Sequence, residues 1–157
     1  MYKFEPDDTV ANGGAWIQIG QTITGDGFKS ALSFAKLTED GSILGAGSFL
    51  NGDEQNGQLR IFQWDDTANL WVQIGSTIEG SDKARLGVFP HFSRDGRTIA
   101  FSQTGDPHKC HVYQWQEVNS DWIRIENKKV FPDSFICMDL SPDGRKVILC
   151  STDEQRC

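Results

Sequence analysis

Apolar residues along the chain alternate with polar ones or run in short bursts, and none recurs at the spacing of an amphipathic helix. The bursts are rich in Ile, Val, Phe and Trp, which are residue types that favour strands. In the middle of the chain they predict four strands, at Trp71 to Ile78, Val88 to Phe92, Thr98 to Ser102 and Cys110 to Trp115. The pattern therefore predicts an all-β protein built from short strands.

A ten-residue segment repeats along the chain. The segment Trp16 to Gly25 returns as Trp71 to Gly80, with seven of ten positions identical and an offset of 55 residues. A weaker third copy, Trp122 to Ile125, follows 51 residues after the second. A period of this length indicates a repeat architecture in which each copy is one structural unit.

An Asp-Gly pair occupies the same place in each repeat. Asp40-Gly41, Asp95-Gly96 and Asp143-Gly144 lie 24, 24 and 21 residues after their tryptophans. Asp-Gly between two apolar runs predicts a tight hairpin, because glycine adopts the positive φ that such turns need. Two six-residue segments, Asp65 to Leu70 and Gln116 to Asp121, predict longer hairpin loops that lead into the next Trp strand.

Four antiparallel strands every forty to fifty-five residues are typical of a β-propeller blade. The Trp-x-x-Ile-Gly segments, the Ser-x-Asp-Gly-Arg turn and the strand Arg60 to Trp64 resemble the repeats of uncharacterised propeller proteins related to the integrin-type (FG-GAP) and WD-like families. Ser93 to Phe101 and Ser141 to Val147 are also similar to the turn of TolB-type propellers. The resemblance covers residues 15 to 150 and implies a fold, but little about function, because propellers host many activities.

We therefore expect antiparallel four-stranded blades of a β-propeller in nearly three repeats, open or incomplete. The expected units are about 15–64, 65–115 and 116–157, and residues 1–14 match none of them. We favour a flexible lead-in for this first segment, with an edge strand at Tyr2 to Phe4 as the alternative. Closed propellers usually need four to eight blades, so the chain is expected to be a fragment of a longer propeller or to be completed by self-association.

The five tryptophans are candidates either for packing or for binding. Trp16, Trp71 and Trp122 share one repeat position, and Trp64 and Trp115 share another, which favours packing. Exposed aromatic rings at loops also bind sugars or protein partners, so Trp64 and Trp115 are retained as candidate interaction residues. The repeated aspartates are interpreted as turn residues.

Two polar segments contain side chains that could bind a metal ion. The loop Asn51 to Gly57 is rich in oxygen atoms but matches no calcium-loop pattern, and a solvated hairpin loop is favoured. The segment His108-Lys109-Cys110-His111 lacks the spacing of a zinc framework, and adjacent strand residues point to opposite faces. We expect neither a metal nor a cofactor, and we keep Asn51, Asp53, Asn56 and His108 as candidate interaction residues.

Cys137 and Cys150 flank the third Asp-Gly turn. A two-residue loop would place them opposite each other, where a disulfide forms, whereas a three-residue loop from Pro142 to Gly144 would direct them to opposite faces. Proline suits the first central position of a type I turn, so we favour the three-residue loop and free thiols.

Composition restricts the classes of partner. Fifteen basic and twenty-two acidic residues give a formal charge of −7, which disfavours nucleic acids and anionic membranes. No apolar run reaches the length of a membrane span, no signal peptide is visible, and no compartment is assigned.

No catalytic motif is recognisable in the sequence. The three histidines have no nucleophile elbow or cysteine-protease context beside them, and the glycine-rich segments match no phosphate or dinucleotide loop. We therefore expect a non-enzymatic binding or scaffolding surface, for protein or through self-association, on four loops that differ between repeats. These loops are Gly25 to Ser30, Asn51 to Gly57, Ser81 to Leu86 and Thr104 to Lys109. The alternatives are a carbohydrate-binding or adhesion propeller and part of a propeller hydrolase whose catalytic groups lie outside this chain.

Overall fold

The computed structural model describes residues 1–7, 9, 13–25, 31–105, 108–125 and 135–151, and over these residues it contains strands and no helix. In that part of the chain there is accordingly no apolar helix of membrane-spanning length. The strands are β1 (Tyr2–Pro6), β2 (Gly14–Gln18), β3 (Phe34–Leu37), β4 (Ile43–Ser48), β5 (Gln58–Asp65), β6 (Leu70–Gln73), β7 (Ile78–Glu79), β8 (Leu86–Phe92), β9 (Thr98–Gln103), β10 (Lys109–Gln116), β11 (Asp121–Arg124), β12 (Phe135–Leu140) and β13 (Val147–Ser151).

The strands form four antiparallel sheets that follow one another along the chain. Sheet A is the ribbon β1–β2, and sheet D is the ribbon β12–β13. Sheet B has the order β3-β4-β5-β6, with β7 also paired to β5, and sheet C has the order β8-β9-β10-β11. The prediction of repeated antiparallel four-stranded sheets in an open, propeller-like arrangement is therefore confirmed.

The Trp strand is the last strand of each sheet. Trp71 in β6 pairs with Trp64 in β5, and Trp122 in β11 pairs with Trp115 in β10. The two connecting turns have four residues each and are shorter than the six-residue loops predicted, because the end residues of each predicted loop pair with each other. Each copy of the sequence repeat therefore starts at the last strand of one sheet and continues into the first three strands of the next sheet. The predicted strand Trp71 to Ile78 is divided into β6 and β7 around Gly75, whose φ is +71°.

The three Asp-Gly hairpins share one register. Leu37 lies opposite Leu44, Phe92 opposite Ile99, and Leu140 opposite Val147. In each turn the aspartate Oδ1 accepts hydrogen bonds from a hydroxyl three residues before the glycine and from the amide after it, at 2.5–2.6 Å and 3.0 Å. These bonds, the hydroxyl bond first, lower the pKa of all three turn carboxyls.

The shared register corrects the prediction for the third hairpin. Ser141 N bonds Lys146 O at 2.8 Å, so four residues separate the closing pair instead of three. Pro142 keeps its expected place in the turn, since Gly144 N bonds Ser141 O at 2.8 Å. The backbone of Cys137 consequently lies opposite that of Cys150, and Cys150 is disulfide-bonded, so the prediction of free thiols at this hairpin is wrong.

The start of the chain adopts the edge strand that the sequence offered as the alternative to a flexible lead-in. β1 pairs with β2 along its whole length, from Tyr2 opposite Gln18 to Pro6 opposite Gly14. Phe4 lies opposite Trp16, with ring centroids 5.5 Å apart and planes at 60°. The two repeated Trp–Trp pairs have centroids 5.4 Å apart and planes at 57° and 61°, so Phe4 takes the place of Trp64 and Trp115.

Neighbouring sheets bury each other's faces. Every residue of β9 is buried, because one face of sheet C packs on sheet B and the other on sheet D. Ile99 and Phe101 pack with Leu59 and Ile61 of sheet B, whereas Ala100 packs with Met138 and Leu140 of sheet D. By contrast, every residue of β1 is exposed.

A glycine loop of one sheet fits against the aromatic pair of the next. An added Cβ at Gly20 would lie 2.7 Å from Trp64, and one at Gly75 would lie 2.7 Å from Trp122. Polar bonds fix the same contacts: Gln21 bonds the backbone N and O of Trp71, and Ser76 N and Oγ donate to the Asp121 carboxylate. The repeated glycine is therefore required by close approach between sheets as well as by its positive φ.

We expect Gly75→Ala to destabilise the protein more than Gly41→Ala. Both glycines have nearly the same φ, +71° and +74°, but nothing lies within 4 Å of a Cβ at Gly41. Backbone strain should lower the free energy of unfolding of both variants by about 1 kcal/mol. Gly75→Ala should lower it by about 1 kcal/mol more, because the new methyl group displaces Trp122. Urea unfolding measures the difference, and equal losses would show that the inter-sheet contact contributes nothing.

Candidate functional site

Three of the four variable loops predicted as an interaction surface belong to one end of the sheets. In an antiparallel sheet, alternate connections lie at opposite ends. The β4–β5, β7–β8 and β9–β10 connections therefore lie at one end, and the Asp-Gly turns and the β5–β6 and β10–β11 turns lie at the other. Of the first predicted loop, residues 26–30 lie outside the described part of the chain, as do residues 106 and 107 of the fourth.

Three of these loops are joined by backbone hydrogen bonds into one surface, residues 51–57, 81–86 and 104–105, which we call the loop surface. The amides of Lys83, Arg85 and Leu86 each donate, at 3.0 Å, to successive carbonyls of residues 54, 55 and 56. On the other side, Gly105 N donates to Ala84 O at 2.8 Å and Thr104 N to Arg85 O at 3.3 Å. The bonds cross from sheet B to sheet C, so the loop surface is fixed relative to both.

Three non-glycine residues of the loop surface have left-handed backbone conformations. Gln55, Lys83 and Arg85 have φ of +55°, +56° and +50°. The Arg85 guanidinium donates from two nitrogens to Gln55 Oε1, at 3.0 and 2.8 Å, and so links two of the three. Such conformations cost energy and concentrate at functional sites, where surrounding contacts hold them.

The exposed side chains of the loop surface carry both signs of charge. Asp53, Glu54 and Asp82 are exposed beside Lys83 and Arg85. Below them, Asn51 Nδ2 donates to Gln58 Oε1 at 3.0 Å, and Asn56 Oδ1 is buried without a hydrogen-bond partner among the described residues. This arrangement offers a rigid, mixed-charge surface with polar groups directed from fixed backbone positions.

The predicted site residues fall into two separate groups. Asn51, Asp53 and Asn56 lie in the loop surface, and His108 is half-buried next to it, immediately before β10. Trp64 and Trp115 lie at the far ends of β5 and β10, about 20 Å away by strand length. Both are half-buried in their ring pairs, and Trp64 Nε1 also donates to Asp66 Oδ1 at 2.8 Å.

Sequence reasoning named the segment Ser81 to Leu86 but missed Gln55 and Arg85 as its central pair. Their left-handed conformations are imposed by hydrogen bonds between segments about thirty residues apart. Neither residue type favours positive φ, so no local signal in the sequence identifies them.

Adjacent residues of β10 face different sheets, as expected for a strand. His111 stacks on Phe101 at 5.4 Å on the side of sheet B, and Cys110 packs against the cluster shared with sheet D. Burial raises the pKa of Cys110 to about 11 and lowers that of His111 to about 4. Among the described residues, no three His, Cys, Asp or Glu side chains are grouped so as to hold a metal ion.

Comparison with known proteins shows a similarity in fold. No family model and no curated protein matches the chain. The crystal structure of a protein from Bacteroides uniformis, provisionally identified as a 6-phosphogluconolactonase, is similar in fold, with a TM-score of 0.58 and 19% sequence identity. The match covers 95% of this chain and 40% of the other, so this chain spans less than half the length of that protein. The resemblance to the FG-GAP, WD-like and TolB-type families stays a prediction.

We expect buried His111 to make the protein less stable in mild acid. Its folded pKa of about 4 lies below the ordinary 6.5, so the unfolded chain takes up the proton first. The contribution of neutral His111 to the free energy of unfolding is therefore fully present above pH 6.5 and is lost as the pH falls toward 4. Between pH 7 and 5 the wild type should lose about 2 kcal/mol more than His111→Phe, as measured by urea unfolding at each pH. Parallel pH profiles for the two proteins would contradict this assignment.

Proposed function

We propose that the chain is a non-catalytic scaffold whose loop surface binds a protein partner. The observation that carries the proposal is the joining of three loops from two sheets into one surface by backbone hydrogen bonds. A surface fixed in this way binds with little loss of conformational entropy, because its loops are already ordered in the folded protein.

The composition of the loop surface favours a protein partner over a small molecule. Its exposed groups are carboxylates, an ammonium and a guanidinium in close succession, and charges of both signs recognise a complementary protein surface. Arg85, whose side chain bonds Gln55, is of a residue type that is enriched at the centre of such contacts.

A photo-crosslinking amino acid at Lys83 should capture a partner, and the same group at Asn119 should not. Both residues are exposed in turns, but Asn119 lies in the β10–β11 turn at the opposite end of sheet C. In extracts of the source organism we expect about tenfold more adduct at Lys83, and competition by unlabelled wild type but not by Arg85→Glu. Equal adducts at the two positions, or equal competition by Arg85→Glu, would contradict the proposal.

A hydrolase is the second candidate function, and the fold similarity to the Bacteroides uniformis protein supports it. At 19% identity that similarity concerns the fold, and folds of this kind carry unrelated activities. If the first proposal holds, this chain does not accelerate hydrolysis of 6-phosphogluconolactone above the buffer rate. Turnover that scales with protein concentration, measured by acid release, would favour the hydrolase instead.

A further inference from the structure

The first ribbon of the chain corresponds to the outer half of a four-stranded sheet. Strand β2 carries Trp16 at the position of Trp71 in β6 and Trp122 in β11, which are the last strands of their sheets. Strand β1 carries Phe4 opposite Trp16, as β5 and β10 carry the paired tryptophans. The two strands of sheet A therefore correspond to the third and fourth strands of a complete sheet.

The last described ribbon corresponds to the inner half. Its turn is the third Asp-Gly turn, and its register, with Leu140 opposite Val147, is that of β3–β4 and β8–β9. Strands β12 and β13 are thus the first and second strands of a sheet, and in this structure β13 pairs with β12 alone. Among the described residues, no third strand pairs with the edge of β13 that corresponds to the edges at which β4 pairs with β5 and β9 with β10.

We propose that two copies of this chain assemble head to tail, with β13 of each copy pairing with β1 of the other. Each junction then completes one four-stranded sheet in the order β12-β13-β1-β2. Leaving aside the two-residue strand β7, the twelve other described strands of one copy correspond to three sheets of four. A two-fold pair then contains six such sheets, which falls within the usual four to eight of a closed propeller.

An exposed isoleucine marks the face that the second copy covers. Ile148 is 64% exposed, and it occupies the position of Gly45 and Ala100, which lie one residue after the paired Leu44 and Ile99. A Cβ at Gly45 would lie 3.2–3.3 Å from Phe92 and Ile99 of the next sheet, and Ala100 is fully buried against sheet D.

The equivalent positions on the partner identify what Ile148 contacts. Phe92 and Ile99 correspond to Leu37 and Leu44 of sheet B. Both leucines line an apolar groove of about 630 Å³ between sheets A and B, on the face of sheet B that faces away from sheet C. In the assembly, Ile148 of one copy enters this groove of the other.

The register of the junction follows from the two complete sheets. Trp64 N donates to Ser42 O, and Trp115 N donates to Arg97 O, both at 2.9 Å. In each sheet the aromatic residue of the third strand therefore pairs with the residue two positions after the aspartate of the Asp-Gly turn. Applied to Phe4 and Asp143, this rule pairs Phe4 with Arg145 and places Lys3 opposite Lys146. Both lysines are exposed in this structure.

The mass of the protein in solution is the first test. We expect a dimer of twice 17.5 kDa, about 35 kDa, by light scattering after size exclusion. A monomer, a trimer or an open-ended series of larger species would each overturn the proposal. The assembly does not depend on what the loop surface binds, so a monomer that still gives the Lys83 adduct would refute the assembly alone.

Paired cysteines test the junction itself. In a background with Cys110→Ala and Cys157→Ala, co-expressed Lys3→Cys and Lys146→Cys chains should form a disulfide-linked heterodimer on a non-reducing gel. Either variant alone should give no such dimer, because each junction then contains one introduced cysteine. A linked dimer from a single variant, or none from the mixture, would contradict the proposed register.

A charge at the groove should separate the copies without unfolding them. Ile148→Asp should weaken the dimer by about 100-fold or more, since both junctions lose an apolar contact and bury a carboxylate. Val118→Asp is the matched control, because Val118 is 96% exposed in the β10–β11 turn, outside the junction. Retained β-type circular dichroism shows that the variant is folded, and an undiminished Ile148→Asp dimer would overturn the proposal.

Discussion

The structure depends on the burial of each sheet's two faces by its neighbours. A sheet of four short strands has no interior of its own, so both of its faces stay in water unless another sheet covers them. Sheet C has a neighbour on each side, and all six residues of its strand β9 are buried. In sheet A, by contrast, an apolar groove separates the ribbon from sheet B, and all five residues of β1 are exposed although Tyr2 and Phe4 are aromatic. The same residue types are thus buried where two sheets pack closely and exposed where they do not.

This constraint separates the two ends of the sheets. At one end, the glycine loops and aromatic pairs bring the outer strands into close contact, and a side chain at Gly75 would collide with Trp122. At the other end the connections are longer, and those of sheets B and C bond to each other through Lys83, Arg85 and Leu86. The first arrangement repeats from sheet to sheet and serves packing, whereas the second differs between sheets. We therefore assign the candidate function to the loop surface, at the end where the connections differ from sheet to sheet.

The sequence was sufficient for the fold class and the hairpins, because both are determined by local signals. Alternating apolar residues, the repeated Trp segment and the Asp-Gly turns are each contained within about ten residues. Strand β1 was only an alternative, since Phe4 stands where the other copies have tryptophan and no turn signal precedes it. The register at Asp143 differs from the predicted three-residue loop, because this turn has the geometry of the other two Asp-Gly turns and Pro142 is compatible with it. The Gln55–Arg85 pair could not be predicted, because contacts between distant segments impose its backbone conformation.

An experimental crystal structure provides the most direct test that the chain is one unit repeated and stacked. The measurement is the rotation that superposes sheet B on sheet C. We predict that this same rotation carries β1–β2 onto β5–β6 and β8–β9 onto β12–β13, and brings Phe4 and Trp16 onto Trp64 and Trp71. Separate, unrelated rotations for these ribbons would contradict the account, because the two ribbons would then not be halves of the repeated sheet.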